Sequence, residues 1–103
     1  PIATISAVAM LLEQAGRHLS PSPLEASVLV GATAINLLGD EDHKELWLPR
    51  IAAGEAQVSL AIQESAHFDP AGVALRAERD GDGWVLNGDK RMVLDGLSAE
   101  PLF

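Results

Sequence analysis

Glu64 is the acid whose position invites chemistry first. It follows Leu60-Ala61-Ile62 at the end of an apolar run and precedes a loop carrying His67, Phe68, Asp69 and Pro70. A carboxylate there could act as a base with a raised pKa. The residue types favour a different role, a structural acid that accepts backbone N–H groups of the following loop. His18, His43 and His67 lie far apart, and none has a second ligand at metal-binding spacing on one helix face, so no metal site is expected. His43, next to Glu41 and Asp42, reads as part of a solvated first turn. Asp80-Gly81-Asp82-Gly83 has the opening of a calcium loop. Its fifth position would be Trp84 and its twelfth Arg91, neither of which suits the metal, so a hairpin turn is the better reading. There is no Gly-x-Ser-x-Gly elbow, no Gly-x-Gly-x-x-Gly after a strand and no phosphate loop ending in Gly-Lys. The residues alone assemble no sufficient catalytic set.

The balance of the chain narrows the partners. With 103 residues it is one small domain or a piece of a larger one. Apolar residues make up 48 %, which argues for a packed core rather than a disordered segment. Seven Lys and Arg against 15 Asp and Glu leave a formal charge of -8, which argues against nucleic acid and anionic membrane surfaces. With 0 cysteines there is no thiolate metal site, disulfide scaffold or Cys nucleophile, and a cytoplasmic location is the default expectation. No apolar run reaches the roughly 18 residues of a membrane span. The stretch from Ile2 to Leu12 lacks a basic region before it and is not read as a signal peptide. Pro1 and Pro101-Leu102-Phe103 read as cut or processed ends.

The elements that must position these residues change period halfway along. Ile5, Val8, Leu12 and Ala15 predict a first helix over 2–15, with Gly16 closing it. Ser22-Pro23-Leu24-Glu25 reads as a capping box that opens a second helix running through Leu38 to a stop at Gly39. That helix has no charge after Glu25, so it should be buried nearly all round, against further helices or a partner. Asp40 caps a third helix, Pro49 marks a break or a new first turn, and Gly54 a stop. Beyond residue 56 the period becomes two. Gln57–Ile62 predicts a buried strand, Val73–Arg79 and Trp84–Leu86 a pair joined by the Asp80–Gly83 turn, and Asn87-Gly88 a second hairpin into a strand over Lys90–Leu94. The expectation is an α+β fold, helices first, then an antiparallel meander whose last strand is an exposed edge.

Three stretches, in this order, resemble the flavin-dependent acyl-CoA dehydrogenase family. They are Glu45-Leu46-Trp47-Leu48-Pro49-Arg50-Ile51-Ala52-Ala53-Gly54-Glu55, Ser59-Leu60-Ala61-Ile62-Gln63-Glu64, and Arg79-Asp80-Gly81-Asp82-Gly83-Trp84-Val85-Leu86-Asn87-Gly88-Asp89-Lys90. The upstream Leu11–Arg17 and Gly39–Lys44 also fit. The resemblance implies that residues 1–56 end an N-terminal helical domain and that 57–103 begin a middle β-domain, as strands of a partial β-barrel. It implies FAD as cofactor and an acyl-CoA thioester as substrate, oxidised to the 2-enoyl-CoA. It also implies a homo- or hetero-oligomer with another subunit of the family.

The residue roles implied by the resemblance are specific. Ile62, Gln63 and Glu64 stand where the family has Thr-Glu-Pro, whose backbone meets the flavin ring edge. Met92 and Leu94 stand where the family has Trp-x-Thr against the flavin, and Ser65-Ala66-His67-Phe68-Asp69 replaces the usual Gly-x-Gly-Ser-Asp. Such aliphatic replacements resemble the small-subunit branch of two-subunit acyl-CoA dehydrogenases. The family's catalytic base lies on a C-terminal helical domain, so no residue here is expected to be catalytic, and the chain alone is expected to be inactive. The other readings are a non-catalytic interaction subunit that docks on a larger flavoprotein through its apolar helix and strand edge, and a remnant with no biochemical role.

Overall fold

The computed structural model describes residues 5–103. Part of the first expected helix, residues 2–4, lies outside the described residues. Helices come first and a short antiparallel sheet follows, as an α+β chain. The described residues form two compact units. One comprises residues 5–60 and 94–103, and the other residues 61–93.

In the first unit, α1 spans Ile5–Arg17 and buries Val8 on its inner stripe. It runs two residues past the expected end at Ala15. Gly16 stays helical, and Leu19 takes the left-handed position with φ of +50°. The Ser20 N–H reaches Ala15 O at 2.9 Å and the Leu19 N–H reaches Gly16 O at 3.2 Å, which closes the last carbonyls of the helix. Arg17 pairs with Glu13 one turn back at 2.9 Å.

The second helical stretch is not the uniform α-helix expected from its apolar run. Leu24–Ala32 winds as a π-helix and continues directly into α2, Thr33–Leu38. Only half of the predicted capping box forms: Ser22 Oγ accepts the Leu24 N–H at 3.2 Å, and no return bond from Glu25 is recorded among the described residues. Nor is the stretch buried all round. Ala26, Ser27, Gly31 and Ile35 are buried, while Leu37 and Leu38 are exposed.

α3, Glu41–Ala52, starts as predicted. Asp40 takes the extended N-cap conformation, and its carboxylate accepts the His43 N–H at 2.9 Å and also meets the His43 ring. Pro49 does not break this helix. It sits inside it, and the buried Ile51 anchors the turn that follows, with the Arg50 guanidinium 4.9 Å from the centre of the Trp47 ring. Gly54, at φ of +74°, supplies the left-handed residue that ends the helix.

Ile35, Ile51, Ala56 and Val58 make the core of this unit, with Trp47 and Phe103 packed edge to face at 6.2 Å. The expected strand at Gln57–Ile62 is a correction. Val58 and Ser59 are fully buried, but the segment forms only an isolated parallel bridge, between Ser59 and Leu102. Its hydrogen bonds run elsewhere: Val58 bonds Ser27, Gln57 O accepts the Glu100 N–H at 2.8 Å, and Ser59 O accepts the Phe103 N–H at 2.9 Å.

In the second unit the only ladder among the described residues joins β1, Ala77–Asp80, to β2, Gly83–Leu86. Gly81 turns the hairpin at φ of +61°, as its composition predicts. The expected meander does not form. β1 starts at Ala77 rather than Val73, because the N–H groups of Ala74 and Leu75 are taken by the Glu64 carboxylate. Asn87-Gly88 makes no second hairpin. Gly88 packs so closely on Leu75 that a Cβ there would lie 2.9 Å from Leu75 Cδ1. Residues 90–94 form no strand and hence no sheet edge; the Arg91 N–H bonds Gln63 O at 2.7 Å, with no ladder beside it among the described residues.

Candidate functional site

Glu64 is the hub of the second unit. Its side chain is about four-fifths covered, with 19 % exposed. Oε1 accepts from Lys90 Nζ at 2.6 Å and from the Leu75 N–H at 3.1 Å, and Oε2 accepts the Ala74 N–H at 2.8 Å. The Lys90 ammonium and the Ala74 and Leu75 N–H groups favour the charged carboxylate over the burial that opposes it, and hold its pKa at about 2. The raised-pKa base is thereby overturned. A carboxylate that donor-rich surroundings keep ionised is a poor proton acceptor near neutral pH. The structural role is the one realised.

Lys90 also donates to Ile62 O at 3.1 Å, so a single ammonium ties the Ile62 carbonyl to the Glu64 carboxylate two residues on. The Gln63 side-chain amide donates to Ser65 O at 2.9 Å and to the Met92 thioether at 3.3 Å. Ser65 Oγ bonds the backbone of His67, and Asp69 Oδ1 accepts the Gly72 N–H at 3.1 Å. The loop between residues 65 and 73 is therefore tied within itself and pinned at both ends.

The structure thus brings Ile62, Gln63, Glu64 and Met92 together in one unit. Leu94 belongs to the helical unit, where its carbonyl accepts from Ser59 Oγ. The sequence reading assigned Lys90 no role. It stood only as the last residue of the Arg79–Lys90 stretch that resembles the family, between Asp89 and Arg91, with nothing local to mark its partner.

These residues fit one side of a flavin and not the other. Ile62 and Gln63 are half-buried, and their N–H groups have no acceptor among the described residues. The free Gln63 N–H suits a carbonyl or nitrogen acceptor at a flavin ring edge. Met92 and Leu94 carry no hydroxyl, and Met92 is 78 % exposed with φ of +51°, so neither supplies an aromatic platform or a side-chain donor. Among the described residues no three His, Asp or Glu side chains gather to hold a metal ion. No described helix is long and apolar enough to cross a membrane.

No family model matches the chain. A probable acyl-CoA dehydrogenase, FadE25 of Mycobacterium leprae, is 35 % identical over 94 residues, covering 90 % of this chain and 24 % of the relative. The solved Tcur3481-Tcur3483 steroid ACAD is 37 % identical and superposes with a TM-score of 0.79 over 94 % of this chain and 26 % of its own. Over nine-tenths of its length, this chain matches a segment of acyl-CoA dehydrogenases.

Two further relatives agree. The mitochondrial isovaleryl-CoA dehydrogenase of Bos taurus is 40 % identical over 65 residues, 62 % of this chain and 15 % of that one. A glutaryl-CoA dehydrogenase of Mycobacterium smegmatis, solved in complex with FADH2, superposes with a TM-score of 0.70 at 35 % identity over 77 % of this chain and 21 % of its own. This acyl-CoA dehydrogenase relative spans about a quarter of the length of the curated FadE25 proteins it matches.

Proposed function

We propose that the chain is the flavin-side segment of an FAD-dependent acyl-CoA dehydrogenase, with residues 1–56 ending a helical domain and 57–103 opening a β-domain. The whole enzyme would oxidise an acyl-CoA thioester to the 2-enoyl-CoA by removing an α-proton and a β-hydride, and bound flavin supplies the hydride acceptor. Ile62, Gln63, Glu64 and Met92, all in the second unit, are the residues proposed for the flavin side. Gln63 offers a backbone donor, and Glu64 holds the loop that follows it. The proton-abstracting base of the reaction is not assigned to this chain, whose best-placed acid is held ionised by Lys90. A cytoplasmic setting fits the absence of cysteine.

The observation that carries this reading is the match over nine-tenths of the chain to a probable acyl-CoA dehydrogenase, with the fold shared over a similar span. The test is size-exclusion chromatography of the purified chain with excess FAD, with visible absorbance and light scattering read together, followed by an assay with acyl-CoA and an electron acceptor. The expected result is flavin carried with the protein and no turnover. A flavin-free peak overturns the flavin-side role, and turnover by this chain alone overturns its dependence on further residues for the base.

A second reading is favoured by a specific feature of the helical unit. Leu37 and Leu38 are 73 % and 82 % exposed on α2, and Ile35, Leu38, Leu60 and Phe103 line an open, largely apolar cavity of about 380 Å³. Monomers seldom leave such surface uncovered. On this reading the chain is an interaction subunit docked on a larger flavoprotein. A strictly monomeric, well-dispersed chain by light scattering would count against it.

A further inference from the structure

The Ile62–Gln63 peptide is one rigid plane. Its C=O and N–H point in opposite directions, so whatever fixes one aims the other. Lys90 Nζ fixes the C=O at 3.1 Å. The Gln63 N–H at the far side of the same plane has no acceptor among the described residues. Lys90 is itself held, because its ammonium donates to Glu64 at 2.6 Å and Glu64 is anchored by the Ala74 and Leu75 N–H groups. The next peptide is restrained as well, its Gln63 C=O accepting the Arg91 N–H at 2.7 Å. A chain of contacts therefore runs from two loop amides, through a carboxylate and an ammonium, to one carbonyl, and ends at a free donor on the other face.

We propose that Lys90 is a positioning residue that aims the Gln63 N–H, by clamping the Ile62 carbonyl, at the acceptor edge of the flavin ring. The inference rests on the flavin-side reading given above. It assigns Lys90 a purpose beyond loop stability. The Glu64–Lys90 ion pair would hold the loop without any contact to Ile62, whereas a clamped peptide presents its donor with the reorientation already made before a ligand arrives. Neutral Met at position 90 keeps the aliphatic stem and removes the clamp. Arg keeps a cation able to reach both the carbonyl and the carboxylate.

The test uses the full chain, isotope-labelled, as wild type and as the variants Lys90→Met, Lys90→Arg and Glu64→Gln. Without flavin, Lys90→Met is expected to move the Ile62 carbonyl-carbon and Gln63 amide resonances, and Lys90→Arg to return both toward wild type. With FAD added, the wild-type Gln63 amide is expected to shift. Affinity should fall about tenfold in Lys90→Met, the equivalent of roughly one lost hydrogen bond. If Lys90→Met lowers the melting temperature but leaves both resonances in place, the positioning role is overturned. If both move in Lys90→Met but the wild-type Gln63 amide ignores FAD, the flavin-side reading fails, and with it the target assigned to the donor, while the clamp itself is seen to exist. Should Lys90→Met not fold, Glu64→Gln replaces it. The weakened hold on Lys90 must then move the same two resonances by a smaller amount, and their constancy overturns the inference.

Discussion

Ser27 and Val58 exchange two hydrogen bonds across 31 residues of chain. Ser27 Oγ donates to Val58 O at 3.1 Å and accepts the Val58 N–H at 3.1 Å, with both residues buried. One hydroxyl thus satisfies both backbone groups of a residue that has no sheet partner. It is the fastening between the π-helical stretch and the extended segment after α3.

Ser27→Ala should therefore leave a buried donor and a buried acceptor without partners. The expected loss is about 1–3 kcal/mol, the desolvation cost of such groups. Urea unfolding followed by Trp fluorescence would measure it. An unchanged midpoint would mean that water replaces the hydroxyl.

Gly31 sits against the same residue. A Cβ built there lies 2.4 Å from Val58 Cγ2 and 3.0 Å from Ala26 O. Gly31→Ala should destabilise by about 1–3 kcal/mol through overpacking. Because Val58 supplies the closest atom, the double variant with Val58→Ala should lose less than the sum of the two single losses. Strict additivity in that cycle would show that the clash is with backbone instead.

Glu64 sets a pH response. Its pKa is about 2 in the folded chain, against 4.5 ordinarily. A depressed carboxylate contributes stability that is fully present above the ordinary value and is lost as pH falls toward the folded one. The loop at residues 65–73 should therefore keep its hydrogen-exchange protection down to about pH 4.5 and lose it progressively toward pH 2. Glu64→Gln should flatten that dependence. A loop whose protection follows the same acid curve in both proteins would refute the assignment.

Asp40 holds the start of α3 through the His43 N–H. That backbone bond, then the His43 ring, keep its carboxylate below the usual range. Asp40→Ala should speed amide exchange in the first turn of α3, and Asp40→Asn should preserve most of the protection, since Asn caps nearly as well. Equal exchange in all three proteins would mean that the cap contributes nothing measurable.

Local chemistry was legible without tertiary structure wherever one residue's own neighbours decide the outcome. Asp40 as a cap, Gly54 as a stop and Gly81-Asp82 as a turn need only side chains and φ preferences within a few positions. The family was legible too, because motifs in order survive as spacing. The sheet was not. Gln57–Ile62, Val73–Arg76 and Lys90–Leu94 have strand-like patterns, yet strand formation depends on who takes each N–H. Tertiary contacts gave the Val58 N–H to Ser27, the Ala74 and Leu75 N–H groups to Glu64, and the Arg91 N–H to Gln63 O. Asn87-Gly88 lost its hairpin to a close approach by Leu75. The candidate site divides the same way. The sequence alone marked Ile62 to Glu64, but only the fold brought Lys90, 26 residues from Glu64, onto both its carboxylate and the Ile62 carbonyl. Where a hydrogen-bonding group finds its partner so far along the chain, the spacing of residue types carries no record of the pairing.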